Sequence, residues 1–335
     1  MNNSFDGKIL EEAASWIKSN QKVVLATVIK TWGSSPNLAG SRMIINEKGG
    51  FSGSVSGGCV ENSVISESID LIKKGDLFKK LEFKVSNNLA WEVGLACGGE
   101  IIVYIERINL KIEILQEIIK KKISKKRFAV LTNLISGNSE IFELGKQPSK
   151  EFENSKKDIE NYYKSNVNGI IEGTQTFIIN YIIPIKIIIV GAVHIAQYLV
   201  DFVKSLNFEI IIIDPRKYFT TEKRFKNVKI LNEWPNEALK KIEKNSNAAL
   251  VTLTHDPKID DPALQYALIN KFFYIGALGS KKTHAIRCQR LKEAGFKDEE
   301  IESIHGPIGI KLGGKTSPEI ALSIIAQIVS ESYNI

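Results

Sequence analysis

Cys59 follows two glycines in GSVSGGCVEN (residues 53–62), and Cys97 precedes two in GLACGGE (residues 94–100). Glycine turns let successive backbone N–H groups converge on an anion, and a thiol at the start of a helix sits in a field that favours the thiolate. Gly57, Gly58 and Cys59 thus read as an amide-rich cradle beside a soft, accessible sulfur. Taken singly, each cysteine reads first as a small buried turn residue. Two glycine-flanked thiols in one short region point to a ligand that is anionic, soft or both.

A second group of chemistry-bearing residues lies in the other half. VGAVHIAQ (residues 190–197) has the order of a dinucleotide fingerprint, with Gly191 for the tight turn and Ala196 for close helix packing. Val193 stands where the middle glycine would let a pyrophosphate approach, so NAD-type binding is compromised although the fold signal remains. Asp214 closes IIIID at the place of a ribose-binding acid. All four histidines, His194, His255, His284 and His305, fall near strand ends or helix starts in this half. Ligands of open α/β sheets gather beyond the carboxyl ends of strands, although each histidine alone is as readily a packed loop residue. THDPKIDDPAL adds Asp256, Asp260 and Asp261, with Asp261-Pro262 as an ordinary helix start. In GALGSKKTH, Gly279 precedes Ser280 as a helix cap, and Lys281 and Lys282 oppose the helix dipole unless an anion sits there.

The elements that position these residues follow from periodicity. Residues 22–29 form a strand, RMIIN and FSGSVS flank a Gly49-Gly50 hairpin turn, and a helix after Cys59 ends at Gly75. A helix from Ile112 to about Lys126 precedes the strand RFAVLTNLI, and residues 146–166 read as a polar surface excursion. Pro184 interrupts a long apolar run, which argues for two strands with a boundary between them. Beyond it, KIIIV, FEIIIID, AALVTLTH and FFYIGAL alternate with amphipathic helices, the pattern of a parallel sheet covered on both faces. The expected fold is α/β: an N-terminal α+β domain over 1–184, including the lysine-rich middle, and a C-terminal Rossmann-like domain over 185–335. Thr316 with Glu319, or Ser317 with Pro318, starts the last helix, whose apolar stripe either covers the sheet or forms a dimer seam.

Composition narrows the partners. The chain has 335 residues, 43% hydrophobic and 25% charged, with three cysteines and no CxxC spacing, so its thiols read as reduced. Its N-terminus lacks a basic segment followed by an apolar one, and no run is long enough to span a membrane, which makes cytoplasm the expected location. The net charge is +7, but the densest basic run, Lys120 to Arg127, has no interleaved aromatics, so nucleic acid is not expected. A phosphorylated small ligand suits the same charge.

TWGSSPNLAGSRM, GSVSGGCVE and ACGGE, followed by VGAVHIAQ, IIDPR, LTHDPKIDDPAL, YIGALGSKKTHAIR and IHGPIGIKLGGKTSPEIA, resemble the XdhC family of xanthine dehydrogenase accessory proteins, which includes carbon monoxide dehydrogenase maturation relatives. The resemblance implies a chaperone that binds molybdenum cofactor, protects it while a cysteine desulfurase exchanges a terminal oxo ligand for sulfido, and delivers it to a molybdenum hydroxylase apoprotein. It implies no net catalysis. Carried over, Cys59 contacts the cofactor and its metal, Gly57 and Gly58 shape the loop, and Arg42 pairs with the pterin phosphate. Cys97, Gly191, His194, Asp214, Gly279, Ser280, Lys281 and His305 complete the expected cofactor-binding set. Val193 departs from the glycine common in relatives, and Lys311 replaces a common acid. A homo-oligomer is expected. Two alternatives stand beside this reading: an NAD(P)-dependent oxidoreductase built on the second domain, and a scaffold joining a desulfurase to its target.

Overall fold

Strand alternation in the first half sends successive side chains into two different apolar layers. In the computed structural model, residues 6–33, 37–58, 60–84, 99–206, 208–242 and 247–333 are described. The chain divides into two units, Met1–Ile183 and Pro184–Ile335.

The first unit opens with α1 (Asp6–Lys18), β1 (Val23–Gly33), β2 (Arg42–Asn46), β3 (Phe51–Gly53), α2 (Glu61–Lys74), β4 (Phe78–Lys84) and β5 (Gly99–Glu106). Its five strands form an antiparallel sheet in the order β3-β2-β1-β5-β4. Val24, Ala26 and Val28 pack with Met43, Ile45 and Val64 of α2 on one face. Val23 and Leu25 share the other face with Ile44 and Tyr104, against Leu10 of α1. The unit continues with α3 (Ile112–Ile123), β6 (Phe128–Asn133), β7 (Ser139–Phe142), α4 (Lys156–Lys164), β8 (Gly169–Ile170) and β9 (Thr176–Tyr181). The four strands make a second antiparallel sheet, β7-β6-β9-β8, whose Phe128, Val130, Phe177 and Ile179 close the same core.

Residues 146–166 are more than the expected surface excursion. Phe152, Ile159 and Tyr163 cover the outer face of the second sheet, packing on Ala129, Leu131 and Ile178. Ile159 and Tyr163 lie one helical turn apart on α4, and burying such a side chain contributes about 2 kcal/mol. The α2 helix ends as expected, with Gly75 left-handed at φ +81°.

The second unit comprises β10 (Lys186–Val190), α5 (His194–Ser205), β11 (Glu209–Ile213), β12 (Lys229–Leu231), α6 (Pro235–Ala238), β13 (Ala248–Thr252), α7 (Pro257–Ile269), β14 (Tyr274–Ala277), α8 (Lys281–Glu293), α9 (Asp298–Glu302), β15 (Ile304–His305) and α10 (Ser317–Ser332). Its strands are all parallel in the order β12-β11-β10-β13-β14-β15, the doubly wound arrangement. Residues of α5 and α10 cover one face of the sheet, those of α6, α7 and α8 the other. The stripe on α10, Ala321, Ile324, Ile325 and Ile328, is therefore core.

The start of α7 differs from the expectation. Asp256, whose carboxylate accepts the Lys258 amide at 2.9 Å, begins the helix, so Pro262 lies inside it rather than at its first turn. Among the described residues, no helix is long and apolar enough to cross a membrane.

Candidate functional site

The turn that leads into α2 is organised by a carboxylate. Gly53 enters it at φ +90°, where a Cβ would meet the Arg42 carbonyl oxygen at 2.4 Å. From there the chain folds around Glu61, the first residue of α2. Glu61 Oε1 accepts the amides of Val55 (3.1 Å), Ser56 (2.9 Å) and Gly57 (3.1 Å) and the Ser54 hydroxyl (2.7 Å). Its Oε2 accepts the Gly58 amide at 2.9 Å and the Ser56 hydroxyl, and the Ser56 oxygen in turn accepts the Val60 amide at 2.9 Å. Burial alone would raise the Glu61 carboxyl, but the Ser56 and Ser54 hydroxyls and the backbone amides outweigh it and hold the group at about 2, down from 4.5.

The expected amide cradle of Gly57 and Gly58 is thus present, with φ values of +78° and +117°, and it holds the chain's own anion. Sequence reasoning counted the donors and missed the acceptor. The available signal was a glutamate three residues after Gly58, at the spacing of a helix-start side chain that reaches back to an amide. Cys59 and Cys97 lie outside the described residues. Arg42 is buried on the face of β2 that also carries Ile44, and its Nη1 donates to the Tyr181 hydroxyl on β9. Glu61 begins the helix that packs on the other face, beside Met43 and Ile45.

In the second unit, the candidate residues gather at the carboxyl edge of the parallel sheet. Gly191 leaves β10 at φ +108°, and a Cβ there would meet Thr254 Cγ2 at 2.6 Å. Gly191→Ala is therefore expected to cost about 2 kcal/mol, read as a lowered melting temperature with the sheet content retained. Val193 is half-buried and packs against the core under α5, so its side chain is partly withdrawn from the turn.

Asp214, at the end of β11, is fully buried, and both oxygens are engaged. Oδ2 accepts the Ala192 amide at 2.8 Å and Arg216 Nη2 at 2.8 Å; Oδ1 accepts the Arg216 amide and Nε, each at 2.9 Å. Burial pushes this carboxyl up, but the Arg216 guanidinium and the two amides together hold it below its usual range. An acid so engaged fixes the Gly191–Ala192 turn and has no acceptor left for a ribose hydroxyl. Arg216 was the partner that sequence reasoning missed, although it stands two residues after the acid.

The remaining candidates divide between exposed and built-in positions. His194 is exposed at the first turn of α5, its Nδ1 3.1 Å from Gln197 Oε1. His305 stacks on Tyr274 with ring centroids 4.8 Å apart. Gln327 Oε1 accepts the Gly309 amide at 2.7 Å and the Tyr274 hydroxyl at 2.8 Å. That leaves Gln327 Nε2 as the donor to His305 Nδ1 at 3.1 Å, so this histidine is held by the fold. Ser280 caps α8 as expected, accepting the Thr283 amide at 3.1 Å, with Lys281 following and Gly279 before it at φ +147°.

The chain thus carries an α+β unit with a glycine turn wrapped on Glu61, followed by a doubly wound parallel-sheet unit. Residues 187–328 match the XdhC Rossmann domain and residues 16–79 match the XdhC and CoxI family, between them more than half of the chain, which belongs to this family. The chain is 25% identical to the molybdenum cofactor insertion chaperone PaoD of Escherichia coli (strain K12) over 96% of its own length and 87% of that protein. It is 24% identical to a probable xanthine dehydrogenase subunit of Bacillus subtilis (strain 168), covering 93% and 94% of the two chains. A crystal structure from Bacillus halodurans, described as a xanthine dehydrogenase, superposes with a TM-score of 0.80 at 25% identity, covering 98% of this chain and 96% of that one.

Proposed function

We propose that this protein is a maturation factor: it binds molybdenum cofactor, shelters it while a cysteine desulfurase supplies the sulfido ligand, and inserts it into a xanthine dehydrogenase-type apoprotein. The observation that carries this reading is the end-to-end similarity to a relative named as a molybdenum cofactor insertion chaperone. The fold around Glu61 supports it, because a chelated carboxylate fixes both the residues before Cys59 and the helix after it. Cys59 then supplies a thiolate to a thiophilic metal, and the protein's role is to hold and release rather than to catalyse. The Gly57 and Gly58 amides are already engaged by Glu61, so their part is to shape the loop, and the pterin phosphate draws on other donors. Such a handover is cytoplasmic chemistry between soluble partners.

The oxidoreductase alternative draws little from the geometry, since Asp214 spends its oxygens on Arg216 and Ala192. The maturation reading is tested by purifying wild type and Cys59→Ala after loading with molybdenum cofactor, then measuring retained metal and pterin. Wild type is expected to retain the cofactor and the variant to lose at least about tenfold in affinity, since removing even an outer-shell partner of a metal ligand costs that much. Equal retention would remove Cys59 from the site, and no retention by wild type would remove the function.

A further inference from the structure

Arg287 on α8 heads the fully buried side chains by size, at 2% exposure, yet among the described residues it forms no ion pair. Its Nη2 donates to the Leu278 carbonyl at 2.8 Å, its Nη1 stands 3.4 Å from His284 Nδ1, and its Nε has no partner. The nearby acids are committed elsewhere. Asp261 makes two bonds to Arg290, at 2.6 and 2.9 Å, while Asp260 accepts the Thr254 hydroxyl at 2.7 Å and the His255 amide at 3.1 Å. A guanidinium taken out of water with only neutral acceptors is costly, and such a charge is expected where an anion completes it.

The space for that anion is adjacent. A cavity of about 300 Å³ opens between the first turns of α7 and α8, lined by His255, Asp260, Lys282, Thr283 and Arg287. Gly279 keeps a side chain away from this corner: a Cβ there would lie 3.1 Å from Thr283 and 3.6 Å from Arg287 Nη2. Lys281 and Lys282 occupy the first turn of α8, where cations are unfavourable unless negative charge is close. Ser280 satisfies the Thr283 amide, leaving the preceding first-turn amides for another acceptor.

We infer that this cavity binds the phosphate group of a small molecule, with Arg287 as its buried counter-charge, Lys282 at the rim and the α8 first turn as amide donor. Asp260 and Asp261 attract Arg287 through space without bonding to it, so Lys282, in no ion pair among the described residues, and the first-turn amides of α8 supply the further positive potential that suits a phosphate. The lining residues all belong to the second unit.

The test uses the full chain and inorganic phosphate as the probe, by calorimetric titration and thermal melting, with chloride and acetate at matched ionic strength as comparisons. A saturable, phosphate-specific rise in melting temperature is expected. Arg287→Met, which keeps the volume and removes the charge, should abolish that rise while melting at or above wild type without phosphate. Lys282→Ala, an exposed change that leaves the fold intact, should weaken phosphate about tenfold, the worth of one charge-assisted contact. If Arg287→Met does not fold, Lys282→Ala decides alone. Equal stabilisation by chloride or acetate, or wild-type phosphate affinity in Lys282→Ala, would overturn the assignment.

Discussion

Replacing Glu61 with glutamine is expected to destabilise the first unit by about 3 kcal/mol at neutral pH, and to do so less and less as the pH falls. The native carboxyl is held at about 2 against an ordinary value of 4.5. A group whose folded value is depressed stabilises the protein above its unfolded value and loses that contribution on the way down to the folded one. At about 1.4 kcal/mol for each tenfold change in proton affinity, the depression amounts to roughly 3 kcal/mol. Urea midpoints of wild type and Glu61→Gln should therefore differ most at pH 5 to 7 and converge between pH 4.5 and 2. A gap that stayed constant with pH would show that side-chain shape, rather than charge, anchors the turn. Glutamine can still accept through one oxygen, but its NH₂ group faces the Gly58 amide, donor against donor, and the Ser56 hydroxyl loses its carboxylate acceptor. Under the proposed function, the same variant should lose cofactor retention with Cys59 untouched.

Asp214→Ala is expected to be at least as damaging to the second unit, at about 3 to 4 kcal/mol, because it strands a buried amide at Ala192 and removes the clamp on the Gly191 turn. In that variant Arg216, about a third exposed, recovers hydration, whereas Arg216→Ala leaves the buried Asp214 carboxylate with only its two backbone amide donors and should cost about 2 kcal/mol. Calorimetric unfolding of the two variants separates the roles. The larger loss in Arg216→Ala would mean that the ion pair, and not the turn, is the stabilising element. The Asp214 contribution is also acid-labile: it is present above the ordinary carboxyl value of 3.8 and fades below it.

Much of the second unit was legible in the sequence because fully buried parallel strands leave an unmistakable composition. KIIIV and AALVT are buried at every position. Ser280 as a cap and Thr316 with Glu319 as a helix start were legible because short polar side chains at helix ends have few other uses. The α4 helix was not, since Ile159 and Tyr163 are its only buried residues and the rest of KKDIENYYK is mostly charged or polar. The site was legible in part. Glycine amides reveal a cradle, but a sequence does not say whether its anion arrives from outside or from a glutamate three residues on. Arg287 was hidden for a different reason: in a helix reading KKTHAIRCQRLKE, nothing distinguishes the one guanidinium turned inward from the cations that remain in water.

The register of β1 carries a consequence for how the first unit assembles. Leu25 pairs with Glu106, so the central strand obtains one neighbour from nearby in the chain and the other only after α2 and β4 have been accommodated. Closing so long an intervening segment is entropically slow, and nonlocal strand pairing delays collapse. The β1–β2 hairpin and the Glu61-wrapped turn that follows it are local, and they are the natural early nucleus onto which β5 docks late.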